Sequence, residues 1–158
     1  MHIAFVASES VPFSKTGGLA DVVGALPQAL ISAGHQVSVY LPLYRQTKLK
    51  DPQTVVRSIT VPFDDRYRFC SVVSGGKHSG VQFYFVDYPP FFDRDALYGT
   101  PAGTIPIMPS ALLCFLAPSW KHPRFSAYPK FFIATTGNRH WYRFCCARST
   151  RKIPHFAM

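Results

Sequence analysis

Residues 13–30, FSKTGGLADVVGALPQAL, place a lysine and two adjacent glycines directly before a helical pattern. After the glycines, apolar residues recur at steps of three and four, which predicts a helix with one apolar face: Leu19, Val22, Val23, Leu26 and Leu30. Pro27 lies inside this pattern, and we expect it to kink the helix rather than to end it. Gly34 stands where the helix C-terminus is expected.

Strand patterns on both sides of this helix indicate an α/β fold. HIAFVAS, residues 2–8, is a short apolar run typical of a buried parallel strand, and QVSVYLP, residues 36–42, is strand-like again. A strand, a loop, a helix and a second strand in this order begin an α/β domain with a parallel sheet.

The next segments extend the prediction toward residue 100. Residues 54–63, 67–74 and 81–88 have the composition of strands, and residues 74–80, SGGKHSG, are predicted to form the hairpin turn between the last two. The aromatic segment from residue 88 to residue 99 is expected to be an irregular loop, because it contains Pro89 and Pro90.

The lysine–glycine loop has the chemistry of an anion-binding site. Ligands of open α/β sheets bind beyond the carboxyl ends of the strands, where the N–H groups and the dipole of a helix N-terminus favour an anion. Gly17 and Gly18 let a ligand approach the backbone closely, and Lys15 can add a positive charge to a phosphate. A plain glycine-rich turn with a solvated lysine is the alternative, because the stretch has neither the Walker nor the G-x-G-x-x-G spacing.

Four stretches together resemble one enzyme family: FVASE, PFSKTGGLADVVGALPQAL, GHQVSVYLPLYR and ALYG. They are similar to the N-terminal segment of bacterial glycogen synthases and plant starch synthases, which are retaining glucosyltransferases that use ADP-glucose. The resemblance covers residues 1–103. It implies the Rossmann-like N-terminal half-domain of a GT-B glycosyltransferase, here incomplete, with ADP-glucose and the α-1,4-glucan meeting in the cleft between two halves.

The resemblance also assigns roles to single residues. It implies that Lys15 contacts the donor phosphates and that Gly17 and Gly18 shape the loop around them. It places Asp21 near the transferred glucose as the candidate catalytic residue, although a first-turn acid that faces the helix dipole is the alternative. Tyr98 matches a tyrosine of the family's cleft and is a further candidate for donor binding. The resemblance implies no metal. It also implies no cofactor, because ADP-glucose is a substrate.

Charge divides the chain near residue 103. All eight acidic residues precede residue 96, whereas residues 104–158 contain eight of the 17 Lys and Arg residues and no acid. A basic segment with interleaved aromatic residues is compatible with nucleic-acid binding. The abrupt change in composition also indicates that the two parts were not composed under the same constraints.

A second reading frame offers another interpretation of residues 104–158. Codons built from the last base of one codon and the first two of the next can decode residues 104–113 as YPDNAERFAL and residues 130–154 as VFHCHDWQSALVPVLLRTLYAEDP. The second string resembles the strand that follows in the family, which carries an H-x-H-D-W-Q motif. At some positions the genetic code allows only one residue in the second frame, and these forced residues agree with the string. His140 followed by Trp141, for example, forces a leucine, which the string contains at that position. We therefore expect residues 104–158 to be an irregular, out-of-frame tail without a native fold.

The expected function is that of a glycogen or starch synthase, which transfers glucose from ADP-glucose to the non-reducing end of an α-1,4-glucan with retention. The residues as written are expected to be inactive alone, because a cleft needs two walls. The alternatives are a non-catalytic nucleotide-sugar-binding or glucan-binding module and a basic nucleic-acid-binding protein. The sequence has no signal-peptide pattern and no bilayer-length apolar run, so we expect a cytoplasmic protein without a membrane partner. We expect no nucleic-acid partner, because the out-of-frame interpretation makes the basic character of residues 104–158 accidental.

Overall fold

The computed structural model describes residues 1–63, 66–94, 96–97, 99–100, 103–104, 131–136 and 140–145. These residues form nine strands and two helices: β1 (His2–Ala7), α1 (Gly18–Ser32), β2 (Gln36–Pro42), β3 (Gln53–Phe63), β4 (Arg66–His78), β5 (Val81–Asp87), α2 (Pro89–Phe92), β6 (Gly99–Thr100), β7 (Gly103–Thr104), β8 (Phe131–Thr136) and β9 (His140–Cys145).

Seven of the strands form one mixed sheet in the order β3-β4-β5-β2-β1-β8-β9. Its central strands β5, β2, β1 and β8 are parallel, and antiparallel partners flank them on both sides. β1 pairs with β2 from His2↔Gln36 to Val6↔Tyr40. The predicted α/β fold with a parallel sheet is confirmed.

The core lies where α1 covers the parallel strands. Phe5 of β1, Leu41 of β2 and Phe85 of β5 are fully buried, and Val23 of α1 joins them. The predicted apolar face of α1 is divided, since Val22 and Leu26 are 41% and 37% exposed. Besides Val23, the buried residues of α1 are Ala20, Gly24 and Pro27. Their short side chains allow neighbouring parts of the chain to approach the helix closely.

Helix α1 continues through Pro27, as predicted, and ends with a standard C-terminal motif. Gly34 has a φ of 85°, and its N–H donates to the carbonyl of Ile31 at 2.9 Å. The N–H of His35 donates to the carbonyl of Leu30 at 3.0 Å. This pair of bonds is the Schellman arrangement, in which glycine adopts the left-handed conformation at little cost.

Two of the expected loops are shorter than predicted. Strand β4 runs on to His78, so the hairpin turn contains only Ser79 and Gly80, whose φ values are 49° and 81°. Gly75 lies within this strand, and a Cβ there would stand 2.4 Å from the Phe85 ring, so the position requires glycine. The expectation of an irregular segment at Pro89 and Pro90 was also wrong, since these prolines begin α2, and proline is tolerated in a first helical turn.

Parts of residues 104–158 lie in strands, which differs from the expectation of an irregular tail. β8 pairs in parallel with β1 from Ile3↔Phe131 to Ala7↔Thr135, and β9 pairs with β8. The β8 sequence FFIATT is rich in aromatic and β-branched residues, which favour strands, and β1 would otherwise present an unpaired edge.

Candidate functional site

The β1–α1 loop, residues 8–17, lies at the carboxyl edge of the parallel strands and contains the predicted lysine and first glycine. Phe13 anchors it in the core, with its ring centroid 4.9 Å from those of Phe83 and Phe85. The N–H groups of Phe13 and Ser14 both donate to the carbonyl of Ser10 at 3.0 Å, which closes a turn within the loop. These contacts give the loop a defined shape.

The loop also rests directly on α1. The N–H of Val11 donates to the carbonyl of Ala20 at 3.2 Å. A Cβ built on Gly24 would lie 2.2 Å from Cγ2 of Val11, so only glycine allows this approach. The contact joins the N-terminal half of α1 to the loop that precedes it.

Glu9 is buried within this loop, with 2% of its surface exposed. Its Oε2 accepts a hydrogen bond from the backbone N–H of Thr16 at 2.5 Å and another from the Thr16 hydroxyl at 2.7 Å. Sequence reasoning did not assign a role to either residue. The available signal was the position of Glu9, an acid just beyond a buried strand, where functional residues of open α/β sheets are found.

Lys15 and Asp21 form an ion pair at the start of α1. Lys15 Nζ lies 2.6 Å from Oδ1 and 2.8 Å from Oδ2 of Asp21, and the two side chains are 52% and 55% exposed. Exposed pairs of this kind contribute at most about 1 kcal/mol, because water screens them. A ligand phosphate can therefore replace Asp21 as the partner of Lys15 at small cost.

Gly17 and Gly18 leave open space above the first turn of α1. Gly17 is the N-cap residue, with an extended φ of −154°, and no side chain caps the helix there. A Cβ built on either glycine would meet nothing within 4 Å. Neither backbone conformation nor packing in the described chain requires glycine here, whereas the close approach of a ligand to the first-turn N–H groups would.

Side chains after β2 and β5 tie their loops to this region. The Tyr44 hydroxyl donates to the carbonyl of Ser8 at 3.0 Å, and the Tyr44 ring meets Phe92 edge-on at 6.0 Å. Arg45 Nε lies 2.7 Å from Oδ1 of Asp93.

Of the predicted site residues, the structure brings Lys15, Gly17, Gly18 and Asp21 together at the start of α1. Tyr98 lies outside the described residues.

Burial changes the acidity of two side chains in the sheet. It raises the pKa of the Cys70 thiol to about 12, with a further contribution from Asp87. It also raises the pKa of Tyr40, with help from Tyr84. In the described part of the chain no cluster of His, Cys, Asp and Glu is suited to hold a metal ion, and no helix there is long and apolar enough to cross a membrane.

Residues 2–114 match the family model described as the starch synthase catalytic domain. The chain belongs to this family. The glycogen synthase of Koribacter versatilis is 78% identical over 103 residues, which are 65% of this chain and 21% of that protein. The glycogen synthase of Bacillus cereus strain Q1 is 44% identical over 101 residues, or 63% of this chain and 21% of that protein.

A solved structure shows the same relationship in three dimensions. The catalytic domain of starch synthase IV from Arabidopsis thaliana, bound to ADP and acarbose, matches with a TM-score of 0.57 and 29% sequence identity. The match covers 64% of this chain and 22% of that one. The chain thus spans about a fifth of the length of these relatives, and its fold corresponds to part of a starch synthase catalytic domain.

Proposed function

We propose that this chain supplies the donor-phosphate side of a glycogen synthase. The reaction transfers glucose from ADP-glucose to the non-reducing end of an α-1,4-glucan and retains the anomeric configuration. The family membership supports this proposal, as does the Arabidopsis relative, whose structure contains ADP and acarbose. We also expect the protein to act in the cytoplasm, without a nucleic-acid or membrane partner.

The observation that carries the proposal is the open glycine backbone beside Lys15. Among the described residues no side chain caps the N-terminus of α1 at Gly17, and nothing lies within 4 Å of a Cβ built on Gly17 or Gly18. A diphosphate placed there would accept hydrogen bonds from these groups, face the positive end of the helix dipole and contact the Lys15 ammonium. The same groups would stabilise the diphosphate as its bond to glucose breaks, which is the larger part of the catalysis expected here.

Asp21 would gain a second role when the donor binds. In the described structure its carboxylate pairs with Lys15. Once the diphosphate takes over Lys15, the carboxylate becomes free to accept a hydrogen bond from the transferred glucose. Tyr98 is proposed, on the family resemblance, to contribute to the same donor site.

The test uses a hybrid enzyme in which residues 1–103 replace the matching segment of the Koribacter glycogen synthase. Because Lys15 makes a charge-assisted contact, Lys15→Ala should lower kcat/KM for ADP-glucose by roughly 10- to 100-fold. Lys50→Ala, which removes another exposed lysine, is the matched control and should change it less than about twofold. Equal values for the two variants would refute the assignment of the loop.

We propose that residues 104–158 take no part in this function, because they are read out of frame. The absence of acids in this segment supports the proposal, as does the 103-residue length of the Koribacter match. Sequencing the gene again across the codons for residues 100–106, and onward in all three frames, tests it. A continuous frame with no transferase sequence in the other two frames would refute it.

A further inference from the structure

We propose that Glu9 is a positioning residue that fixes the donor-phosphate groups of the β1–α1 loop through Thr16. The proposal rests on the function proposed above for Lys15 and the two glycines. It concerns how these groups are held in place rather than what they bind.

The first observation is the burial of Glu9. Acidic side chains are rarely buried without a partner, because removing a carboxylate from water is costly. In the described residues the Glu9 carboxylate has no ion-pair partner, and both of its hydrogen bonds come from Thr16. The buried Glu9 carboxylate therefore holds one residue of the loop, Thr16.

The second observation is where that residue stands. Thr16 lies between Lys15 and Gly17, and its N–H belongs to the peptide group that joins it to Lys15. Hydrogen bonds to this N–H and to the Thr16 hydroxyl fix the peptide plane and the side-chain rotamer together. The starting point of the Lys15 side chain and the backbone of Gly17 are therefore set by one carboxylate oxygen.

The third observation is that Glu9 itself is held. Its neighbour Ser8 accepts the hydrogen bond from Tyr44, in a buried contact between the loops that follow β1 and β2. The contact with Tyr44 thus fixes Ser8, and the adjoining Glu9 fixes Thr16. Thr16 in turn fixes its two neighbours, Lys15 and Gly17. Small displacements of groups that stabilise a leaving group are expensive in rate, so the order of this loop matters for the reaction.

The test measures the inhibition constant of ADP for the hybrid enzyme described above. Glu9→Ala should raise it roughly tenfold, and Thr16→Val, which loses only the hydroxyl contact, should raise it by a smaller factor. Thr16→Ser keeps both hydrogen-bond donors and should leave the inhibition constant of ADP at the parent value. Glu9→Gln keeps an acceptor without the charge and should fall between the parent and Glu9→Ala.

Combination with Lys15→Ala distinguishes positioning from general stability. If Glu9 acts by placing Lys15, the inhibition constant of ADP should rise by a smaller factor in the double variant Glu9→Ala/Lys15→Ala than the product of the factors in the two single variants. Strictly multiplicative effects would overturn the proposal. If Glu9→Ala does not fold, Thr16→Val in the same cycle gives the same decision.

Hydrogen exchange on the full 158-residue chain supplies a readout independent of activity. Thr16→Ser should keep the exchange rate of the Thr16 amide near that of the parent, whereas Glu9→Gln should increase it several-fold. Lys15→Ala without effect on ADP inhibition would refute the proposed function. Lys15→Ala with an effect, but Glu9→Ala and Thr16→Val without one, would refute only the role of Glu9.

Discussion

Replacing Gly24 with alanine tests whether the β1–α1 loop and α1 are fitted to one another. Inside a helix this substitution normally stabilises by about 1 kcal/mol, because glycine has the larger conformational entropy when unfolded. Here the new Cβ would stand 2.2 Å from Cγ2 of Val11, over 1 Å closer than an ordinary contact. Overpacking of this kind costs about 1–3 kcal/mol, so the expected net change is a loss of up to about 2 kcal/mol.

The measurement is urea unfolding of the 158-residue chain, followed by circular dichroism. Gly24→Ala should move the midpoint to lower urea without changing the slope. In a Val11→Ala background the same substitution should become neutral or stabilising, because the remaining Val11 atoms lie at the ordinary contact distances of 3.5 and 3.6 Å. A more stable Gly24→Ala variant, or one that Val11→Ala does not rescue, would refute the close fit.

Three further predictions concern the ion pair, the open backbone and the buried thiol. Asp21→Asn should change the free energy of unfolding by less than about 1 kcal/mol, and by less still in about 1 M NaCl, because water and salt screen its ion pair with Lys15. A loss above about 2 kcal/mol in urea titrations would contradict this screening. Gly18→Ala should keep the urea midpoint or raise it slightly, because Gly18 belongs to α1, alanine is the better helix former and its Cβ meets nothing. The same variant should weaken ADP inhibition of the hybrid, and unchanged inhibition would remove the diphosphate from above Gly18. Because the folded pKa of Cys70 is raised from 9.0 to about 12, the stability it provides is complete below about pH 9 and is lost as pH rises toward 12. Cys70→Ala should therefore show a smaller loss of stability than the parent between about pH 8 and pH 10.5, and parallel profiles would contradict the shift.

The elements that the sequence predicted well are those whose pattern is local. β1, α1 and β2 follow from runs and periods of apolar residues, and the site residues from Lys15 to Asp21 lie within two turns of chain. Once the helix start is located, these residues have to be near one another. Their ion pair did not follow from spacing, because the lysine precedes the helix and its direction depends on the loop.

The parts that the sequence did not predict depend on distant partners. Gly75 and Gly76 have the composition of a turn, yet both lie within β4, where Gly76 pairs with Phe83 of β5 and the register shifts between Ser74 and Gly76. The bond between Tyr44 and Ser8 joins residues 36 positions apart and follows only from the strand order. Glu9 and Thr16 are closer in sequence, but their contact requires the conformation of an irregular loop.

The insertion of Phe13 between Phe83 and Phe85 has a consequence for how this region comes apart. Residues 10–14 cannot swing outward without withdrawing the Phe13 ring from these contacts, so their opening should cost more than that of a loop without such an anchor. A protease supplied with the native chain should consequently find this long connection a poor substrate, in spite of its exposed Pro12 and Lys15.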